Sequence, residues 1–162
     1  MIREDDIMST IEEKASYDVL TICQYIAHYC YHKRYNLTNL RLQKLLYFIQ
    51  LYFFLCHDEP CFKNRMEAWD LGPVVPDAYQ HYKKYGAKEI PVEKGDSTHL
   101  LKKEDSILIT AIIEALSDIP TFQLVNMTHK QLPWKKNYVP YNSNEIPLSD
   151  LKEFADERGR KS

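Results

Sequence analysis

The segment that organises this chain is LLYFIQLYFFLC, at residues 45–56, which is apolar on nearly every side of a helix. A helix that spans a membrane needs about 20 such residues, whereas this run has twelve, contains Gln50 and has polar or charged neighbours at both ends. Thr38 is placed to cap a helix that begins just after it. We therefore predict a buried central helix over about residues 39–56, inside a globular domain.

Helical patterns recur on both sides of this segment. Apolar residues follow the i, i+3, i+4, i+7 spacing that is typical of an amphipathic helix. Proline and glycine mark several ends, because proline is favoured in the first turn and glycine just after the last. The helices predicted in this way cover residues 16–33, 76–85 and 105–117, a segment capped by Thr121 and stopped by Pro133-Trp134, and a final segment around 148–155.

Strands are expected at two places only. Apolar and charged residues alternate over about residues 62–69, which indicates a short half-buried strand, and residues 90–101 fit a weak hairpin or a loop. The predicted fold is mainly α, a compact single-domain helical bundle around the central helix with one or two short strands. We expect residues 1–15 to be a lead-in or a first short helix, 16–157 the domain, and 158–162 a disordered basic tail.

Composition excludes several classes of protein. The 162 residues carry 21 basic and 23 acidic side chains, a net charge of −2, which argues against a protein that grips nucleic-acid backbone. The four glycines are scattered, so no phosphate-binding loop is present. The four cysteines form no CxxC pair and the N-terminus has no apolar signal segment, so we expect reduced thiols in a cytoplasmic protein without a membrane partner.

Histidines and cysteines offer weak candidates for a metal site. His28 and His32 are spaced to clamp a metal from one helix, but the sequence supplies no obvious third ligand and no HExxH pattern. Cys56, His57 and Cys61 lack the usual ligand spacing. We favour a surface histidine pair and ordinary thiols, with no metal and no cofactor.

His129 and Lys44 are the candidates for catalysis. A catalytic histidine needs a nucleophile or a substrate proton in reach and an orienting acid, and no such motif accompanies His129. We favour a hydrogen bond from His129 across a helix–loop junction, with Trp134 filling the core. Lys44 lies in the apolar helix and must reach water or a carboxylate, for which Glu67 or Asp70 is placed. The residues alone thus indicate an interaction protein without catalytic apparatus.

Three motifs resemble those of the Panacea domain, also called the SocA-like or phage-associated GepA-like family. They are LRLQKLLY at residues 40–47, followed by Gln50; EAWDLGPVVP at 67–76, followed by Tyr79; and Thr128-His129 followed by Pro133-Trp134. The resemblance extends over roughly residues 16–157. The motif positions, which resemble fold-defining residues, are Leu42, Gln43, Lys44, Leu45, Tyr47, Ala68, Trp69, Gly72, Pro73, Val74, Pro76, Thr128, His129, Pro133 and Trp134.

The resemblance implies an antitoxin of a bacterial or phage toxin–antitoxin system. Such domains neutralise a co-encoded toxin by direct contact, and one branch acts as an adaptor that delivers its toxin to a protease. The toxins include translation inhibitors such as small alarmone-synthetase-like enzymes that modify tRNA. A cognate toxin is therefore the expected partner, with no small-molecule substrate. An enzyme that uses His129 and a DNA-binding autoregulator are the less favoured alternatives.

Partner choice is expected to depend on exposed residues outside the motifs. Aromatic side chains dominate the binding energy of many interfaces, and tyrosine supplies 12 of the 20 aromatic residues. A position at the border of the core is an equally good interpretation for these residues. The candidates for partner contact are Tyr25, Tyr29, Tyr79, Tyr82, Lys83 and Tyr85.

Overall fold

The computed structural model describes residues 2–13, 15, 17–95 and 98–161. The mainly α fold is confirmed: the described residues form eight helices and one small sheet. The helices are α1 (Glu4–Glu13), α2 (Val19–Lys33), α3 (Asn39–His57), α4 (Pro76–Tyr82), α5 (Lys103–Leu116), α6 (Thr121–His129), α7 (Leu132–Asn137) and α8 (Leu148–Lys161). The strands are β1 (Glu67–Trp69), β2 (Gly72–Val74) and β3 (Asn144–Glu145).

Helix α3 is the predicted central helix, one residue longer than expected. It begins after Thr38, whose side-chain oxygen accepts the N–H of Arg41 at 3.2 Å, and ends at Asp58 in the left-handed conformation. Helices α4, α5, α6 and α8 and strand β2 all pack against it. Because its middle, residues 42–51, is buried on every side, α3 is apolar nearly all round rather than amphipathic; Tyr52 and Leu55 near its end are partly exposed.

Arg41 joins α3 to the end of α5. Its guanidinium donates to the carbonyls of Leu116 and Ile119, at 2.6 and 2.8 Å, and to Thr121 Oγ1 at 3.2 Å. A cation is favourable at this position because the last carbonyls of a helix have no partner within the helix. Thr121 is therefore not the predicted cap of α6: it is the first helical residue, and its hydroxyl accepts from Arg41 instead.

The sheet corrects the strand predictions. Strand β1 pairs antiparallel with β2 and with β3, in the order β2-β1-β3. The alternation over residues 62–69 does describe burial, but the ladder begins only at Glu67. The described residues between 90 and 101 form no strand, and Thr98–Leu100 is a single 3-10 turn; residues 96 and 97 lie outside the described residues.

The two partner strands were missed because they are too short to show a period. Strand β2 is the sequence GPV, which reads as a turn, and β3 is the dipeptide Asn144–Glu145, which reads as a loop. Proline is tolerated in β2 because this is an edge strand of the sheet. The backbone groups on its outer edge have no neighbouring strand to bond to, so a missing N–H there costs no ladder hydrogen bond.

Two helix predictions at the C-terminal end are also corrected. The sequence predicts that Pro133 and Trp134 stop α6. They lie instead in the first turn of a further helix, α7, where proline is favoured. The predicted disordered tail is wrong for residues 158–161, which continue α8, while Ser162 lies outside the described residues. The guanidinium of Arg158 lies 4.7 Å from the Phe154 ring centroid, a cation–π contact that sequence composition did not reveal.

Residues 4–13 form a helix, α1, which packs against α8.

No single helix in the described ranges has both the length and the apolar character needed to cross a membrane. Helices α5 and α6 meet that test only as a pair, and the chain bends by 104° between them.

Candidate interaction surface

A buried amide network connects α3 to the start of α4. Gln43 accepts the N–H of Val75 at 2.9 Å through Oε1, and its Nε2 donates to Asn39 Oδ1 at 2.9 Å. Asn39 in turn donates to the carbonyl of Tyr79 at 3.2 Å. Buried amides of this kind are stabilising only when all their groups are paired, so this network fixes how the chain leaves the β1–β2 hairpin.

Lys44 is fully buried and does not form the predicted ion pair. Its Nζ donates to the carbonyl of Pro73 at 2.6 Å, whereas Glu67 accepts from the Trp69 indole and from Arg65. In the described part of the chain no carboxylate pairs with Lys44. Burial therefore lowers the pKa of Lys44 from 10.5 to about 7.

The free energy of unfolding should consequently depend on the charge of Lys44. Between pH 7 and 10.5 the unfolded chain holds a proton on this amine that the folded protein has released, so raising the pH stabilises the fold. We therefore compare the free energy of unfolding of wild type with that of Lys44→Met. From pH 7.0 to 8.5 we expect the difference between the two to change by about 1.5 kcal/mol in favour of wild type. Urea unfolding at both pH values measures this difference, and a constant difference would contradict it.

Gln50 joins α3 to the segment before β1. Its Oε1 accepts the N–H groups of Cys61 and Phe62, at 2.8 and 3.3 Å, and its Nε2 donates to the carbonyl of Phe62 at 2.6 Å. All of these groups are buried. Gln50 thus supplies the side-chain partner for three buried backbone groups.

The third motif meets the same hairpin from the other side. His129 Nε2 donates to the carbonyl of Asp70 at 2.9 Å, which is the junction hydrogen bond that the sequence predicted. The Trp134 indole donates to the carbonyl of Trp69 at 2.8 Å, and its ring lies 4.1 Å from the His129 ring. Trp134 is half-buried at the border of the core rather than inside it. All three motifs therefore converge on residues 69–75.

A groove of about 1100 Å³ opens beside this hairpin. We call it the hairpin groove; its apolar and aromatic lining includes Leu40, Trp69, Leu71, Tyr79, Phe122 and Tyr141. The rings of Trp69 and Tyr79 meet edge to face at 4.9 Å. Leu71 at the hairpin tip is 47% exposed, Phe122 is 65% exposed and Tyr141 is fully exposed. Clustered exposed apolar residues mark interaction sites more often than scattered ones do.

The family model of the antitoxin SocA-like, Panacea domain matches residues 42–135, more than half of the chain. This chain belongs to the Panacea domain family. The match begins in α3 and ends in α7, so it contains the hairpin and most of the three motifs, and the resemblance drawn from the sequence is confirmed. Neither the curated proteins nor the solved structures provided a match to the chain.

The predicted contact residues of this Panacea domain separate into three groups. Tyr79 and Lys83 line the hairpin groove. Tyr82 is 1% exposed, so the prediction that it contacts a partner is wrong for this conformation. Its position is decided by α2, against which α4 packs, and the sequence gives no sign of that neighbour.

The other three tyrosines have hydroxyls that are already engaged. Tyr25 bonds to Thr110 at 2.7 Å, Tyr29 donates to Glu114, and Tyr85 donates to Glu93 at 2.7 Å. Each is half-buried, which favours the core-border interpretation, and a partner contact through their remaining surface stays a prediction.

The groove residues that the sequence did not single out are Leu71, Phe122 and Tyr141. In the sequence, each of them is only an apolar side chain at a turn or on a helix. Such side chains are common, and they do not indicate a binding surface unless their exposure is known. Their clustering depends on α6, the hairpin and the segment before β3 meeting at one place.

The histidines and thiols of the Panacea domain form no obvious metal centre. His28 and His32 lie with their Nε2 atoms 3.2 Å apart. Cys61 is buried and Cys56 exposed, and all four cysteines are free. Among the residues that the structure describes, no group of three or more histidine, cysteine or carboxylate side chains is arranged to hold a metal ion.

Proposed function

We propose that this protein is an antitoxin that neutralises a co-encoded toxin in the cytoplasm by stoichiometric protein–protein contact. Membership of an antitoxin family supports a protein partner and a non-catalytic role. The observation that carries the proposal is the hairpin groove, where apolar and aromatic side chains lie exposed beside a backbone that three motifs hold in place.

The rigidity of the groove supports its use as a binding surface. The hairpin is tied to α3 by Lys44 and Gln43 and to α6 and α7 by His129 and Trp134. A preorganised surface loses little conformational entropy on binding, so more of the contact energy appears as affinity. These four motif side chains bond within the protein. We therefore expect the exposed residues around them to determine which partner binds.

The toxin that we propose is a translation inhibitor, such as a small alarmone-synthetase-like enzyme that modifies tRNA, as the family resemblance implies. Occlusion of its active site or of its substrate path would be enough for neutralisation. The cognate toxin is expected to be the product of the reading frame beside this protein's own gene.

Co-expression in a bacterial host tests the proposal. We expect the neighbouring product to arrest growth alone and to be harmless beside this protein. Phe122→Asp should lose protection, because a charge on an aromatic anchor costs an interface about 2–4 kcal/mol, a loss of roughly 100-fold in affinity. Ile107→Asp is the matched control, since Ile107 is 60% exposed on α5, away from the groove.

Two results would contradict occlusion through the groove. Equal protection by both variants, at equal melting temperature, would place the interface elsewhere. A toxin half-life that shortens when the antitoxin is present would instead indicate delivery to a protease, the alternative that the family resemblance also implies.

A further inference from the structure

Two hydrogen-bond donors lie unused on one side of the hairpin groove. Tyr79 lies in α4, and Lys83, four residues on, follows the end of that helix and begins a 3-10 turn, Lys83–Tyr85, with a right-handed backbone. Both line the groove. In the described part of the chain, neither the Tyr79 hydroxyl nor the Lys83 ammonium has a hydrogen-bond or ion-pair partner.

Their neighbours on the same segment are satisfied internally. Lys84 Nζ lies 3.2 Å from Glu93 Oε2, and His81 Nε2 lies 2.6 Å from the other oxygen of that carboxylate. Tyr85 also donates to Glu93. The donors without a partner in the described part of the chain therefore lie on the groove side of this segment. The donors on its opposite side all bond to Glu93.

The groove lining carries one charge of each sign, but only the cation lacks a partner within the part of the chain that the structure describes. Asp70 is its one anionic residue and Lys83 its one cationic residue among the described residues. The Asp70 carboxylate already accepts the Tyr138 hydroxyl. An incoming group thus meets two free donors, one of them positively charged, next to the apolar surface of Trp69 and Phe122.

We propose that the hairpin groove binds an apolar segment of the toxin that places an aspartate or glutamate carboxylate against Tyr79 and Lys83. This inference rests on the proposed antitoxin function. A carboxylate accepts charge-assisted hydrogen bonds from a hydroxyl and an ammonium at once. The neighbouring aromatic surfaces exclude water when the segment binds, which strengthens the ion pair above its value on an open surface.

A nucleic-acid ligand fits the groove less well. Binding to phosphate backbone depends on several cations acting together, and the groove offers one, on a protein with a net charge of −2. A protein segment with one acidic and several apolar side chains matches both the charge and the lining.

Zero-length crosslinking of the complex tests the inference directly. The toxin carboxyl group adds to a carbodiimide to form an O-acylisourea; the Lys83 amine then attacks the acyl carbon, an amide forms, and the reagent leaves as a urea. The probe is the product of the neighbouring reading frame, mixed with the full-length protein. We expect mass spectrometry to find an amide between Lys83 and one toxin Asp or Glu, and none between Lys84 and the toxin.

Affinity measurements on matched variants complete the test. We expect Lys83→Glu to weaken toxin binding about 100-fold and Tyr79→Phe about fivefold, whereas Lys84→Gln changes it less than twofold. Replacing the crosslinked toxin acid with lysine should restore binding to Lys83→Glu, because the charges are then exchanged.

The outcomes separate this inference from the antitoxin function. Protection and complex formation without a Lys83 crosslink, and with unchanged affinity of Lys83→Glu, would overturn the inference and leave the function standing. A crosslink from Lys83 to a second copy of this chain would overturn it in favour of self-association. Absence of any binding or protection would overturn both.

Discussion

Gly72→Ala is expected to destabilise the protein by about 3 kcal/mol. Gly72 has φ +106°, a conformation that side chains rarely adopt. A Cβ atom there would also lie 2.7 Å from Thr128 Oγ1 and 2.9 Å from Lys44 Nζ, both of which are buried. Neither neighbour can withdraw easily, because Thr128 donates to Val125 and Lys44 donates to Pro73. Strain and crowding therefore add.

Gly95→Ala is the matched control for this prediction. Gly95 has φ +95°, but a Cβ there would meet nothing within 4 Å. Its substitution should cost only the backbone strain, about 1 kcal/mol. Thermal unfolding should show Gly72→Ala about 10 °C below wild type and Gly95→Ala within a few degrees of it. Equal melting temperatures for the two variants would show that the space around Gly72 is not as tight as the structure indicates.

Gln50→Leu is expected to have a similar or larger effect, about 3–5 kcal/mol. Leucine fits the volume and suits the apolar helix, so a view based on sequence alone would call this substitution harmless. It removes the partner of three backbone groups, the N–H of Cys61 and both the N–H and the carbonyl of Phe62. A buried polar group without a partner costs about 1–3 kcal/mol.

Urea unfolding of Gln50→Leu, with Gln123→Leu as control, measures this effect. Gln123 is exposed on α6, so its substitution should change the free energy of unfolding by less than about 0.5 kcal/mol. The loss in Gln50→Leu should be accompanied by faster amide exchange at Cys61 and Phe62. A stable variant with protected amides would mean that other groups replace Gln50.

The buried lysine shows where inference from the sequence stopped. Its position in an apolar helix indicated that Lys44 needs a polar partner, and that requirement holds. The partner is a carbonyl, Pro73, rather than the carboxylate of Glu67 or Asp70. A sequence states which side chain needs a hydrogen bond, but a backbone carbonyl is available at every residue and carries no sequence signal.

The groove shows a second limit. Tyr79 and Lys83 could be named as contact residues because aromatic and cationic side chains are common at interfaces, and the structure places both in the groove. Tyr82, chosen on the same grounds, is in the core. Helical spacing separates the faces of α4, but which face meets α2 and which meets solvent depends on packing.

The amino-acid sequence by itself determined the central helix, most of the surrounding helices and the family, because helical periodicity and motif spacing are properties of neighbouring residues. Only the tertiary structure decided the three-stranded sheet, the partners of Lys44 and Gln50, and the exposure of Leu71 and Phe122. Those features join residues far apart in the chain: Trp134 bonds to Trp69, 65 positions away. Pairing and burial at such separations depend on how the whole chain packs, and no local pattern specifies them.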